Sequence, residues 1–321
     1  GRLRDAGLTL PIVVVGHTPG ALAADVAALG VEPVAYDPDT LAAFDAAGVA
    51  AGRRIGVHLK VETGTNRQGL RIDDLSALAR RIRGLRGVEV VGLSTHFADI
   101  EDTTDHAFAR SQIDRFREAV ARLAAEGTAV RWRNIGNSAA TILWPEAHLD
   151  MVRVGIAAYG LWPSKETFVS AALTRRDRID LRPALAWKTR IAQVKDVPAG
   201  EYVSYGRTCR TTHATRLAVL PVGYYDGFDR GLSGQAYVLV RGQRAPVCGR
   251  VCMNMVMVDV SPIDGAQAGD VATLVGRDGS DAVSAEQLAG WAGTINYEAV
   301  TRIAESVPRV LVRTPSPERS P

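Results

Sequence analysis

The sequence predicts a βα barrel followed by a mostly β unit, and three observations carry that prediction. In the first half, short near-continuous apolar runs alternate with stretches of helical spacing, the pattern of a parallel sheet covered on both faces. At least five such βα units occur and none carries a dinucleotide fingerprint, which favours a TIM-type barrel over a doubly wound sheet. From about Arg182 the pattern changes to strands separated by Gly, Pro and Asp turns.

Taken in order, LPIVVVG (residues 10–16) reads as a buried strand and GALAADVAALG (residues 20–30) as a helix stopped by glycine. EPVAYD is a short strand. PDTLAAFDAAG is a helix with Pro38 near its start and Asp39 or Thr40 as its cap. RIGVHLKVE is a strand, DDLSALARRIRGL a helix, VEVVGLSTHF a strand, and residues 106–127 a long amphipathic helix. VRWRNIG is the next strand, and NSAATIL starts another helix. In the second half PALAWKTRIAQVKDV, TRLAVLPVG, QAYVLVRGQRAPVCG, VCMNMVMVDV and GDVATLVG are strands. Helical patterning returns in SAEQLAGWAG and NYEAVTRIAESV. The switch falls in the charged stretch TRRDRIDLRP. The expected organisation is therefore a barrel unit at 1–177, a β-rich unit at 178–314 and a disordered Pro/Ser-rich tail at 315–321.

Composition narrows the function classes. The 321 residues are 46% hydrophobic and 23% charged, with a net charge of +3. There is no Lys/Arg run interleaved with aromatics, which argues against nucleic acid as a partner. No apolar stretch reaches the roughly 18–20 residues that span a bilayer. The three cysteines do not suggest a disulfide framework, and a reducing cytosol fits them. Cys248 and Cys252 lack the second pair that a zinc site of this spacing would need, so no metal is expected.

Four groups of residues sit at strand ends of the first half: Lys60 with Arg67, His96, Asn137 with Ser138, and Arg153 with Gly155. In a βα barrel the C-terminal strand ends converge on one mouth. Ser138 at a helix start and Gly155 in a turn offer a hydroxyl and exposed amides, a fit for an anion such as phosphate. The same residues also read as an ordinary Ser cap and a turn glycine. His96 reads alternatively as a satisfied core histidine, and the acids Asp99, Glu101, Asp102 and Asp105 as a solvated loop or a metal site.

Seven motifs then occur in one order along essentially the whole chain: VHLKVETGTNRQGL, STHFADIEDTTD, NIGNSAATILWPEAHLDMVRVGIAAYGLWPS, VSYGRTCRTT, VLPVGYYDGFDRGLS, GRVCMNMVMVDV and INYEAVTRI. Together they resemble alanine racemase, a pyridoxal-phosphate enzyme with a βα barrel and a C-terminal β domain. The resemblance implies that pyridoxal 5'-phosphate meets Ser138, the amides of Gly155 and Ile156, and the Tyr297 hydroxyl, with Asn137 in support. It places Arg153 against the pyridine nitrogen, with His96 orienting it. A guanidinium stays protonated and cannot give that nitrogen a proton, so the ring is a weaker electron sink and transamination is disfavoured. Decarboxylases of the same structural group usually pair this nitrogen with an acid.

Racemisation needs an acid/base group on each face of the α-carbon. The resemblance assigns one face to Tyr205, reaching the site from the partner in a homodimer. A tyrosine with a pKa of about 10 needs positive charge nearby to act as a base, and Arg67 is the candidate. On its residues alone, Tyr205 also reads as a half-buried hairpin residue. Arg67 would hold the substrate carboxylate and the cofactor hydroxyl, and the Met253 amide would meet the same carboxylate. Tyr224 and Tyr297 would narrow the entrance, which favours alanine. Asn254 departs from the family, which more often has Asp there. Lys60 resembles a supporting lysine that is carbamylated in many members, an anion that would brace Arg67.

The implied activity is L-/D-alanine interconversion through an external aldimine, supplying D-alanine for peptidoglycan in a bacterial cytoplasm. The family's other base is the Schiff-base lysine, in a stretch such as KANAYGHG. That stretch is absent here, where the lysines are Lys60, Lys165, Lys188 and Lys195. The expectation is an incomplete barrel, an N-terminally truncated racemase inactive by itself. The alternatives are a broad-specificity or serine racemase of the same fold, or a non-catalytic cofactor-binding or dimerisation module.

Overall fold

The computed structural model describes residues 1–176 and 179–312. The tail expected at 315–321 lies outside the described residues, as do Asp177 and Arg178, on which the expected boundary falls. The chain divides into two compact units, Gly1–Arg182 and Pro183–Pro321.

The first unit holds strands β1 (Val13–Val14), β2 (Glu32–Ala35), β3 (Ile55–Lys60), β4 (Val88–Ser94) and β5 (Trp132–Asn134). They form one sheet in sequence order, every pair parallel, a half-barrel. The helices are α1 (Arg2–Asp5), α2 (Ala23–Leu29), α3 (Pro38–Ala50), α4 (Ile72–Ile82), α5 (Ala107–Ala125), α6 (Ser138–Leu143) and α7 (Lys165–Leu173). Side chains alternate between the faces of a strand. On β3, Val57 and Leu59 go to the core with Phe44, Leu75 and Phe116 of the helices. Burying each such side chain contributes about 1.5–3 kcal/mol. His58 and Lys60 take the other face and line a concavity with Val34, Ser94, Asn134 and Arg153. The register sets Lys60 beside Ser94 and Ser94 beside Asn134, so three strands end on one rim.

Two local expectations change. The cap of α3 is Asp37, whose carboxylate accepts the Thr40 N–H at 2.8 Å. Pro38 takes the first helical position, so the capping oxygen must come from the residue before it. The first strand is only two residues long and pairs with β2 alone among the described residues, leaving Leu10 and Val15 exposed.

The second unit contains β6 (Trp187–Arg190), β7 (Gln193–Val197), β8 (Tyr202–Val203), β9 (Cys209–Arg210), β10 (Thr215–Leu220), β11 (Tyr237–Val240), β12 (Gln243–Pro246), β13 (Val256–Asp259), β14 (Val271–Asp278) and β15 (Asp281–Val283), then α8 (Ala285–Ala292) and α9 (Asn296–Thr301). One sheet runs β13-β10-β7 and another β12-β11-β14-β15 with β6 also on β14, while β8 and β9 pair as a hairpin. The single strand expected over residues 183–197 is two. Ile191 donates to Asp270 O and Ala192 to Val219 O, so the chain passes from one sheet to the other between them. Leu220, Phe228, Val238, Val258 and Leu274 build this unit's own core. Among the described residues no helix is long and apolar enough to cross a membrane.

Candidate active site

The rim of the half-barrel gathers cations. Lys60 ends β3 and is only 8% exposed. Burial, then the charges of Arg153 and Arg67, pull its pKa down to about 8 against the opposing pull of Glu62. Arg153 is brought to about 10 by burial and by Arg67, and so stays protonated at neutral pH. Its Nη2 donates to Thr95 O at 2.8 Å and to His96 Nδ1 at 2.9 Å. A guanidinium only donates, so His96 accepts at Nδ1 and carries its proton on Nε2. Burial and the charges of Arg153, Lys60 and Arg67 take His96 to about 3, which keeps the ring neutral. Arg153 Nη1 is buried and has no hydrogen-bond partner.

Beside this cluster β5 runs into α6. Asn137 caps that helix, its side chain accepting the Ala140 N–H at 2.9 Å. The cap is therefore Asn137 and not Ser138, whose hydroxyl is left for other contacts. Ser138 Oγ accepts the Gly155 N–H at 3.0 Å and the Ala157 N–H at 3.4 Å. Gly155 precedes a 3₁₀ turn, Ile156–Tyr159. Amides at the start of such a turn have no acceptor within it. One buried hydroxyl and a run of such amides thus meet at one point.

In the second unit the other expected residues meet around the turn at residues 250–253. Tyr224 N–H donates to Cys252 O at 3.1 Å and Tyr225 N–H to Met253 O at 3.0 Å, which sets Tyr224 beside Met253. A Cβ on Gly223 would fall 2.2 Å from Cys252 O, so only glycine permits this approach. Ser204 Oγ donates to Arg250 O at 2.6 Å and ties the Tyr205 turn to the same segment. Ala304 N–H donates to Asp226 O at 3.0 Å, which links the segment after α9, the helix carrying Tyr297, to the Tyr224 loop. Tyr205, Met253 and Tyr224 are 73%, 52% and 42% exposed, so each is open to further contact. Asn254 follows Met253 in this turn.

One polar residue that supports the rim, Gln112, was not expected from the sequence. Gln112 is fully buried on α5; it accepts the Ala98 N–H at 2.9 Å and donates to His96 O at 3.1 Å and Thr63 Oγ1 at 3.2 Å. The signal was available: a glutamine lies on the apolar stripe of Ala109, Ile113 and Phe116. The acidic loop is partly structural, since Asn137 Nδ2 donates to Glu101 Oε2 at 3.4 Å and Asp105 Oδ1 accepts the Ala107 N–H at 3.0 Å. Among the described residues no group of His, Cys, Asp and Glu is arranged to hold a metal ion. Burial pushes the Cys248 thiol up to about 12, beside Cys209.

Comparison with known proteins adds a family to this geometry. Residues 2–163 match the family described as alanine racemase, N-terminal domain, and residues 184–311 match alanine racemase, C-terminal domain. The chain is 44% identical over 310 residues to an alanine racemase of Desulfovibrio desulfuricans, covering 97% of this chain and 80% of the relative. It is 43% identical over 256 residues to one from Leptospira interrogans and spans 66% of that protein's length. Among solved structures, the alanine racemase of D-cycloserine-producing Streptomyces lavendulae superposes with a TM-score of 0.89 at 37% identity, over 98% of this chain and 81% of that one.

Proposed function

The chain belongs to the alanine racemase family, and from that premise we propose that its residues serve the interconversion of L- and D-alanine on pyridoxal 5'-phosphate. The observation that carries this reading is Arg153, held on one side by Thr95 and His96 and left with a buried, unpartnered Nη1. An unmet buried donor costs about 1–3 kcal/mol, and a ligand acceptor such as the pyridine nitrogen removes that cost. The rest of the donor set fits the same cofactor. Ser138 Oγ and the amides of Gly155 and Ile156 suit a phosphate, with Asn137 holding the helix start and the Tyr297 hydroxyl assigned to the same group. Bound there, the cofactor supplies an electron sink that acidifies the substrate α-proton.

The protein's part is orientation and proton movement. Arg67 and the Met253 amide take the substrate carboxylate. Tyr205, contributed by the partner in a homodimer, holds or removes the proton on one face. Tyr224 and Tyr297 narrow the approach and favour a side chain as small as methyl. Lys60, poised near pH 8 among cations with its amine partly free, takes up carbon dioxide as a carbamate and gives Arg67 an anionic brace. The product, D-alanine, serves peptidoglycan, with the enzyme acting in the bacterial cytoplasm.

The second base and covalent anchor of the family is a lysine in a stretch such as KANAYGHG, which these 321 residues do not contain. We therefore expect the 321-residue polypeptide with added pyridoxal phosphate to racemise L-alanine at least about 10²-fold more slowly than a family member carrying that lysine. Polarimetry of L-alanine measures this, and comparable rates would show that another group supplies the second base.

A further inference from the structure

The segment after β3 is closed at its base and filled by its own anion. Glu62 N–H donates to Leu70 O at 2.8 Å and Leu70 N–H donates to Lys60 O at 2.9 Å, so the chain leaves and returns at one point. Within the loop Gly64 has φ 149° and Asn66 has φ 51°, both in the left-handed half of the map. Such turns aim successive N–H groups inward and make a nest for an anion. The anion here is Glu62. Its carboxylate accepts the Gly64 N–H. Burial pushes its pKa up, but bonds from the amides of Asn66, Gly64, Thr65 and Arg67 outweigh this and hold it below the usual range. Among the described residues no ion pair joins Glu62 to the Arg67 guanidinium. The outside of the loop is braced as well. Thr65 Oγ1 donates to His96 O at 2.8 Å, and Arg115 Nη1 donates to Thr63 O at 3.0 Å.

We propose that Glu62 is a positioning residue for Arg67: its carboxylate binds the loop amides, fixes the backbone from which Arg67 projects, and leaves the guanidinium available for a carboxylate ligand. A glutamate five residues from an arginine in the same loop could instead pair with it and neutralise it. Here the charge is satisfied by backbone N–H groups, so the loop is ordered without engaging the side chain it presents. The ligand in this inference rests on the role given to Arg67 above; the ordering of the loop does not.

The test is hydrogen–deuterium exchange of the 321-residue chain, comparing peptides across residues 63–67 with peptides across β3. Glu62→Ala is expected to speed exchange in the loop about tenfold, the loss of a charge-assisted bond, with β3 unchanged. Glu62→Gln is expected to give a smaller rise. Arg67→Gln is expected to leave the loop protected, since the guanidinium does not hold it. The pH profile separates the carboxylate from mere packing. A depressed carboxyl pKa gives protection that is complete above the ordinary value of 4.5 and is lost as pH falls through the lower folded value. Wild type should show that step and Glu62→Gln should lack it. Equal loosening in Arg67→Gln, equal loosening of β3, or a loop indifferent to Glu62→Ala overturns the proposal. Because no substrate enters the experiment, its failure is distinct from a failure of the racemase reading.

Discussion

Lys60 is an amine surrounded by like charge, 8% exposed, with Arg153 and Arg67 bearing on it and Glu62 opposing them. A lysine whose folded pKa is about 8, against an ordinary 10.5, binds fewer protons folded than unfolded between those values. Stability therefore rises with pH across that window and is reduced below it. The shift corresponds to at most about 3 kcal/mol at neutral pH. In carbonate-free buffer, Lys60→Met is expected to raise stability at pH 7 by about 1–3 kcal/mol and to flatten the rise between pH 8 and 10.5, read by denaturant melts. Carbamylation changes the balance. In the carbamate proposed for Lys60 the free amine would add to carbon dioxide and release one proton, placing an anion among the guanidinia. Bicarbonate at pH 8 should raise the melting temperature of wild type and leave Lys60→Met unchanged. An equal response from both proteins would remove the carbamate from the account.

The β5–α6 junction shows how an element sets up chemistry through a division of labour between neighbours. Asn137 caps the helix, and Ser138 turns its hydroxyl to Gly155 and Ala157. Asn137→Ala should cost about 1 kcal/mol of stability by the loss of the cap. It should also weaken pyridoxal phosphate binding several-fold by loosening the helix start that holds Ser138, whereas Ser138→Ala weakens binding and costs about 1–3 kcal/mol as the Gly155 and Ala157 amides lose their acceptor. Equilibrium dialysis and thermal melts of both variants measure the split. The sequence displayed this junction as strand, polar pair and helix, since apolar periodicity locates elements well. Which of two adjacent polar residues caps depends on backbone angles at the helix start, which periodicity does not encode. The same limit displaced the cap of α3 from Asp39 or Thr40 to Asp37. Gln112 and Glu62 were hidden for a related reason: a polar side chain of this kind is explained by its partners, and those lie 16 to 49 residues away for the Gln112 donor bonds and inside an irregular turn for Glu62.

Across the molecule the two units carry different chemistry. The half-barrel concentrates Lys60, Arg153 and His96 on one rim beside Ser138, while the β-rich unit gathers Tyr205, Tyr224 and Met253 around one turn. The strand-and-helix alternation and its change near Arg182 were visible in the sequence because parallel and antiparallel sheets bury different faces. The meeting of residues in the β-rich unit was not, because it depends on loop-to-loop hydrogen bonds and on the close approach that Gly223 allows. In the function proposed here Lys60 braces Arg67 and does not carry the cofactor. The direct measurement is to incubate the 321-residue chain with pyridoxal phosphate, reduce with borohydride, digest, and locate pyridoxyl-lysine by mass spectrometry. The expected result is bound cofactor that dialyses away, with no one-to-one label on Lys60, Lys165, Lys188 or Lys195. A dialysis-resistant, stoichiometric pyridoxyl group on Lys60 would contradict it and make this lysine the anchor.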